Sequence, residues 1–123
     1  MDFETQLKAL GEPMRLRILQ SLLERKHCIR SLSKKLGITE SAVSQHMKIL
    51  REAGLVYGER CGYHVHYFPS QEAIDGLAES FEKMRQQSME LDRDPNVCNC
   101  EFRRNCTALA KLLPGVQGKV PAG

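Results

Sequence analysis

The spacing of apolar residues changes at Gly54, and this change constrains the fold more than any other feature of the sequence. Before Gly54, apolar residues recur every three or four positions, which predicts amphipathic helices. After Gly54, the runs "LVYGER" and "YHVHYF" alternate with a period of two around Cys61 and Gly62. This alternation predicts a β-hairpin with a tight turn. The sequence therefore predicts a mainly α fold with one small hairpin after Gly54.

Four helices are predicted before Gly54, and their ends are marked by specific residues. Gly11 is expected to supply a left-handed cap after the first helix, and Pro13 suits the first turn of the second. The third helix is expected to end at Gly37, and Thr39 is the expected N-cap of the fourth. Two helices around a glycine-containing turn form a helix-turn-helix candidate. The apolar positions expected to pack in the core are Met14, Ile18, Leu19, Leu22, Leu23, Ile29, Leu32, Leu36, Val43, Met47 and Leu50.

The fourth predicted helix carries a polar face that is suited to DNA. Ser41, Gln45 and Lys48 lie opposite the apolar face, and Ser44 lies beside them. Short hydroxyls and an amide can reach base edges in a major groove, and a lysine can pair with phosphates. Viewed alone, the helix fits a merely solvated face equally well. The context of the helix favours a recognition helix.

The charge distribution supplies part of that context. Residues 1–70 hold 11 Lys and Arg against 7 Asp and Glu, for a net charge of +4, whereas residues 71–123 have a net charge of −1. A basic first part suits a polyanion such as DNA. The hairpin directly behind the recognition helix is expected to act as a wing, whose tip near Arg60 touches the DNA backbone or the minor groove.

Two histidines on the predicted hairpin raise the question of a metal. His64 and His66 are two residues apart on one strand, so they share a face and could hold an ion. Two ligands without a third nearby are a weak signal. Solvent-facing or phosphate-contacting histidines are therefore the favoured interpretation.

The longest predicted helix follows Pro69 and carries the apolar seam of a two-helix coiled coil, with spacings of three and four residues. We expect this helix to pair with its own copy in a homodimer. The alternative is that the stripe packs on the first helices of the same chain. A twofold dimer also matches a pseudo-palindromic operator. The seam positions are Ile74, Leu77, Phe81, Met84, Ser88 and Leu91.

Length and composition exclude several classes of protein. A chain of 123 residues fills one compact core, and no apolar run approaches the roughly 20 residues that cross a bilayer. The first residues lack the layout of a secretory signal, so we expect a cytoplasmic protein with no membrane partner. No cysteine or histidine stands in a pattern that suggests a base and an oxyanion partner. We therefore expect a protein that is not an enzyme and needs no organic cofactor.

Three of the five cysteines, Cys98, Cys100 and Cys106, are crowded near the C-terminus. Because cytoplasmic thiols stay reduced, such a cluster indicates metal binding or redox chemistry. Three thiolates fit a three-coordinate ion such as arsenite or antimonite, provided that the chain turns back after Glu101 or a partner chain contributes. Zinc or cadmium would prefer a fourth ligand.

Other interpretations of the cluster stay open. A structural zinc site could be completed by Asp94 or by the other subunit, and an iron–sulfur cluster would need Cys28 or Cys61 as its fourth thiol. A disulfide between Cys106 and Cys98 or Cys100 would make a redox switch. Cys28 and Cys61 are otherwise interpreted as a core residue and a turn residue.

The stretches "LKALGEPMRLRILQSL" and "SLSKKLGITESAVSQHMKILREAGLV", with the hairpin after them, resemble the ArsR-type (ArsR/SmtB) metal-sensing winged-helix repressors over about residues 3–91. The resemblance implies a homodimeric repressor that leaves its operator when a metal or metalloid binds. Since the resemblance ends near residue 91, we expect a DNA-binding and dimerisation domain at residues 1–92, followed by a cysteine-rich segment and flexible tail at residues 93–123. The resemblance also places His46 on the recognition helix. The predicted DNA contacts are Thr39, Ser41, Ser44, Gln45, His46, Lys48 and Arg60.

The familiar sensor sites of that family do not match this sequence. The arsenic-sensing members carry three cysteines where this chain reads "CIRSLS", so Cys28 is kept and Arg30 and Ser33 replace the other two. The zinc-sensing members carry acidic and histidine ligands on the dimer helix. At the matching places this chain has Gln71, Ala73, Met84 and Gln87.

Overall fold

The computed structural model describes residues 2–100 and contains five helices and one hairpin within that range. The mainly α fold with a small β-hairpin, predicted from the change of period at Gly54, is confirmed. The elements in chain order are α1 (Phe3–Leu10), α2 (Pro13–Glu24), α3 (Ile29–Leu36), α4 (Glu40–Glu52), β1 (Val56–Cys61), β2 (His64–Pro69) and α5 (Gln71–Glu90).

The hydrophobic core joins α2, α3 and α4 and extends to the base of the hairpin. Ile18, Leu32 and Leu50 are completely buried, as their helical spacing predicted. Leu23 was expected in the core but is 57% exposed, because it falls outside the face that α2 turns inward through its other apolar residues. The buried apolar residues are Ala9, Ile18, Leu19, Leu22, Leu32, Val43, Met47, Leu50, Ala53, Leu55, Val56, Ala73 and Leu77.

The two glycines that end helices behave differently. Gly37 adopts the left-handed conformation (φ 68°), which confirms its predicted role after α3. Gly11 does not, since its φ is −72° and its N–H bonds to the Lys8 carbonyl at 3.2 Å. The backbone thus stays right-handed at Gly11, and Glu12 then caps α2, which begins at Pro13. The prediction of a left-handed cap at Gly11 was wrong, because so short a connection needs no reversal of φ.

The hairpin is antiparallel, with Cys61 paired to His64 and Arg60 paired to Val65. Its turn therefore consists of Gly62 and Tyr63, and Gly62 supplies the positive φ of 63°. Cys61 is the last residue of β1 and not the turn residue that the sequence suggested.

A backbone bridge attaches the hairpin to the connection between α2 and α3. The Tyr67 N–H donates to the His27 carbonyl at 2.9 Å. This bridge fixes the base of β2 beside the start of α3.

The first part of α5 packs on its own chain. Ala73 and Leu77 are buried in the core, and the Phe81 ring meets Phe3 edge-on with the ring centroids 5.4 Å apart. The alternative that the stripe packs on the first helices of the same chain therefore holds for this part. Leu91, expected in the seam, follows the end of the helix. No helix within residues 2–100 combines the length and apolarity that crossing a membrane requires.

Candidate nucleic-acid interface and thiol segment

Helix α4 buries one face and exposes another. Val43, Met47 and Leu50 are buried in the core. The predicted contact residues on the opposite side are all exposed, which leaves their polar atoms available to a partner. These exposed residues are Ser41, Ser44, Gln45 and Lys48.

The start of α4 is fixed by local hydrogen bonds. The Thr39 hydroxyl accepts a hydrogen bond from the Ala42 N–H at 3.0 Å, as its predicted N-cap role requires. In the turn before it, the Ser33 hydroxyl donates to the Ile38 carbonyl. The Gly37 N–H donates to the Ser33 carbonyl at 3.0 Å. These bonds set the angle at which α4 leaves the helix-turn-helix.

His46 differs from the other predicted contact residues because its ring is half-buried. Its Nδ1 atom is buried, has no hydrogen-bond partner within the described residues and lies 3.9 Å from Glu12 Oε2. The same Glu12 oxygen accepts from the Arg15 N–H at 2.9 Å and so caps α2. Glu12 therefore faces both α2 and the recognition helix. Any DNA contact by His46 has to use the remaining edge of the ring.

The positive side chains are loosely held. Lys48 Nζ lies 4.0 Å from Glu52 Oε1, and both side chains are more than half exposed. An exposed pair of this kind contributes little to stability, so Lys48 can exchange Glu52 for a phosphate at small cost. Arg60 is exposed on β1 near the hairpin tip, where the wing interpretation places it.

Several residues that position α4 were missed by sequence reasoning. Gln6 is buried, and its side-chain amide donates to the Ala53 carbonyl at 3.3 Å, which ties α1 to the end of α4. A polar residue at the apolar spacing after Phe3 could have indicated this. Glu12 precedes Pro13, a pattern that could have indicated a cap.

His27 was also missed, and it lies buried beneath the hairpin. Its Nδ1 atom is 2.9 Å from the Ser31 hydroxyl, and no hydrogen-bond partner for Nε2 occurs in residues 2–100. Burial lowers the pKa of His27 from its usual 6.5, and the charges of Lys35 and Arg25 lower it further. Burial therefore favours the neutral form of the ring.

Cys28 is the N-cap of α3 and not the core residue that was expected. Its Sγ accepts from the Ser31 N–H at 3.4 Å, while the Ser31 hydroxyl accepts from the Cys28 N–H at 3.1 Å. The hydrogen bond from the Ser31 backbone lowers the pKa of the Cys28 thiol below 9.0, against the opposing effect of burial.

The thiol segment, residues 91–100, follows α5 and belongs to a second compact unit that begins at Arg85. Asp92 and Asp94 organise its turns, since their carboxylates accept from the N–H groups of Asp94 and Asn96 at 2.9 Å each. Cys98 Sγ and Cys100 Sγ lie 3.2 Å apart.

The third predicted metal ligand, Cys106, lies outside the described residues. Within residues 2–100, no three His, Cys, Asp or Glu side chains are grouped so that they could hold a metal ion. The described structure thus brings together two of the three predicted thiols. The complete three-cysteine site stays a prediction.

The arrangement of α3, α4 and the hairpin defines a class of protein. Helices α3 and α4 meet around Gly37, α4 exposes a polar face, and a hairpin follows α4 directly. This is the winged helix-turn-helix architecture, in which the second helix of the pair is the recognition helix.

Comparison with known proteins identifies the family. The family described as "Bacterial regulatory protein, arsR family" matches residues 12–57. The arsenical resistance operon repressor of Bacillus subtilis (strain 168) is 36% identical over 76 residues, which cover 61% of this chain and 72% of that protein. The chain belongs to the ArsR family of bacterial regulatory proteins.

Two further comparisons show the extent of the likeness. The HTH-type transcriptional repressor SmtB of Mycobacterium tuberculosis (strain ATCC 25618 / H37Rv) is 44% identical over 61 residues, which cover 50% of this chain but only 45% of that protein. A solved structure described as a possible transcriptional regulator for arsenical resistance has a TM-score of 0.59 at 26% identity and covers 72% of this chain and 98% of its own. Both descriptions are of regulators and not of enzymes.

Proposed function

We propose that this protein is a homodimeric DNA-binding repressor that a thiophilic metalloid, arsenite or antimonite, releases from its operator by binding Cys98, Cys100 and Cys106. The observation that carries the repressor assignment is the exposed polar face of α4 opposite a buried apolar face. The observation that carries the sensor assignment is the 3.2 Å contact between the sulfurs of Cys98 and Cys100.

The DNA interface of this proposal divides into two kinds of contact. Gln45 and the neighbouring serines read base edges in the major groove, because amides and hydroxyls offer paired donors and acceptors. Lys48 and Arg60 contact phosphates and supply affinity without sequence preference. Thr39 lies at the start of this surface, where it also caps the helix, and His46 lies between Gln45 and Lys48.

The homodimer is supported by apolar surface that α1 and α5 leave exposed. Leu7 is 39% exposed, Phe81 is 49% exposed and Met84 is 53% exposed. Side chains of this kind on two neighbouring helices favour burial against a second copy. A twofold dimer presents two recognition helices to two half-sites, which is the usual arrangement for this architecture.

The choice of ligand follows from the donor set. Cys98 and Cys100 are close enough to bind one ion together, and Cys106 supplies a third thiolate from the part of the chain beyond residue 100. Three soft sulfur donors suit arsenite or antimonite, whose lone pair occupies the remaining direction. Two of the similar proteins are described as regulators of arsenical resistance, which agrees with this choice.

A redox switch is the second candidate, and the same sulfur contact favours it. Two thiols at 3.2 Å, or either thiol with Cys106, could be oxidised to a disulfide. A structural site for zinc, cadmium or another soft metal would instead keep its ion whether or not DNA is bound. These alternatives predict different inducers, so one experiment separates them.

The test uses the full-length reduced protein and a fluorescently labelled inverted-repeat promoter fragment. DNA binding is measured by anisotropy and should weaken steeply as salt is raised. Arsenite, antimonite, zinc, cadmium and an oxidant are then added separately. We expect release by arsenite or antimonite. Release by the oxidant alone would establish the redox switch instead, and absence of DNA binding would refute the repressor assignment.

A further inference from the structure

The two faces of the hairpin have different surroundings. Residues directly opposite each other in an antiparallel pair share a face. The register pairs Tyr57 with Phe68, and their rings stack with the centroids 5.7 Å apart. Because successive pairs alternate between the two faces, every second pair toward the tip also lies on this face, namely Glu59–His66 and Cys61–His64. We call it the outer wing face, and it consists of Tyr57, Glu59, Cys61, His64, His66 and Phe68.

At the base of the hairpin, the residues of the opposite face pack against the protein core. Val56 is buried, and Tyr67 packs against the core. A Cβ atom at Gly58 would lie 3.0 Å from the side chains of both Val65 and Tyr67, so this face has little free space. The outer wing face is open by contrast.

Four side chains of the outer wing face carry metal-ligating atoms. Glu59, Cys61 and His64 are exposed, and His66 is half-buried. Within the described part of the chain, no hydrogen bond or ion pair restrains any of the four, and Cys61 is a free thiol. Their rotamers are therefore free to change when a ligand arrives.

The thiol, the two imidazoles and the carboxylate of these side chains are the groups that zinc binds in proteins. Zinc in proteins binds thiolate, imidazole and carboxylate groups with tetrahedral geometry, at about 2.3 Å from sulfur and about 2.0–2.1 Å from nitrogen. Cys61 lies directly opposite His64, and Glu59 lies directly opposite His66. Opposite Cβ atoms in such pairs are about 4.5–5.5 Å apart, a distance that one ion above the face can bridge.

We propose that the outer wing face is a binding site for a zinc-class divalent ion, with Cys61, His64 and His66 as ligands and Glu59 as the fourth. The sequence alone offered only the two histidines. The strand register adds the thiol of Cys61 and the carboxylate of Glu59 to the same face. No three such side chains within residues 2–100 converge in the structure as it stands. Binding of the ion therefore requires the side chains of the outer wing face to rotate toward one another, whereas the strand register stays as it is.

Such an ion would join the two strands next to the Gly62–Tyr63 turn. A two-stranded hairpin is marginally stable without further support. Binding at this site should therefore stabilise the tip of the wing, and the midpoint of thermal unfolding should rise in the presence of the ion. The site is independent of the thiol segment and does not rest on the proposed sensor.

The test uses the full-length protein with Cys98, Cys100 and Cys106 all changed to Ser, kept reduced and titrated with Co(II). We expect one equivalent to bind with the visible bands of tetrahedral cobalt and a thiolate-to-cobalt charge-transfer band. Cys61→Ser should remove the charge-transfer band. His64→Gln and His66→Gln should each weaken binding by about 100-fold or more, since even loss of an outer partner costs about 10–100-fold.

Cys28→Ser in the same background is the matched control and should leave the cobalt spectrum unchanged. Circular dichroism without metal checks folding, and the exposed positions of Cys61 and His64 make intact folding the expected result. A charge-transfer band that survives Cys61→Ser would overturn the proposal. Cobalt affinity unchanged by His64→Gln would overturn it equally.

Discussion

At the scale of single residues, the proposed DNA interface assigns different tasks to two exposed side chains of α4. We predict that Gln45→Ala mainly relaxes sequence preference, with a loss of about 1–3 kcal/mol if its amide reads a base edge. Lys48→Ala should weaken specific and non-specific DNA alike and reduce the salt slope by about one, as expected for a phosphate contact. Anisotropy titrations at several salt concentrations distinguish the two effects. Unchanged affinity for both variants would show that the reading face is assigned wrongly.

His27 makes stability depend on pH in a definite direction. Burial lowers its pKa below 6.5, so the unfolded chain binds a proton more readily than the folded one. The contribution of His27 to stability is therefore fully present above the pKa that this residue has in the unfolded chain. It is lost as the pH falls through the pKa of His27 in the folded protein. Urea unfolding at about pH 7.5 and about pH 5.5 should show the loss in the wild type.

His27→Asn is the control for this pH dependence. The asparagine amide can replace Nδ1 as the partner of the Ser31 hydroxyl but does not titrate. The difference in unfolding free energy between the two pH values should shrink in this variant. An equal difference in both proteins would assign the pH dependence to other groups.

Residue roles were predictable only where they depend on chain neighbours. The caps at Thr39 and Gly37 follow from local sequence, and both were predicted. The bridge between His27 and Tyr67 joins distant parts of the chain, which sequence spacing does not reveal. The cap at Cys28 is local, through Ser31 three residues later, but cysteine is not among the residues that usually cap helices. The approach of Glu12 to His46 joins two helices and is likewise invisible to local patterns.

At the scale of secondary-structure elements, two glycines provide a matched pair of variants. Gly37 has a φ of 68°, so Gly37→Ala should destabilise the protein by about 1–2 kcal/mol through left-handed strain, although the site has space for a Cβ. Gly11 is right-handed, and a Cβ there would meet the nearest atoms at 3.4 Å. Gly11→Ala should therefore be neutral or stabilising by about 0.4–1 kcal/mol. Equal losses for both variants in urea unfolding would contradict the assigned conformations.

The helices and the hairpin were largely predictable from the sequence, but the packing of α5 was not. Its apolar spacing is clear, but spacing does not say which surface covers each residue. Ala73 and Leu77 pack on the chain's own core, while Met84 is exposed. The hairpin was predicted from its period of two, but the pairing of Cys61 with His64 required the actual register.

At the scale of the whole molecule, the proposed homodimer depends on the exposed part of the α5 stripe. Met84 is 53% exposed and lies in the predicted seam. Met84→Glu should place a charge in the interface, shift the protein toward monomer in sedimentation experiments and weaken operator binding. Met89 is 70% exposed and lies outside the seam, so Met89→Glu is the control and should stay dimeric. A dimer undisturbed by Met84→Glu would place the interface elsewhere.

The three cysteines of the proposed sensor are expected to control release from DNA. An ion drawn onto Cys98, Cys100 and Cys106 would bind close after α5 in the chain and bias the dimer against its operator. Linkage requires that the factor by which the ion weakens DNA binding equals the factor by which DNA weakens ion binding, with a coupling of typically about 1–3 kcal/mol. Serine at any of the three positions should leave operator binding intact and abolish the response.

The most direct measurement is the anisotropy of labelled operator with each serine variant, titrated with arsenite or antimonite under reducing conditions. Wild type, Cys28→Ser and Cys61→Ser should all be released by the metalloid. The single variants at Cys98, Cys100 and Cys106 and the triple variant should all stay bound. Release of the triple variant by arsenite would contradict the account, because the sensor would then lie outside the three cysteines.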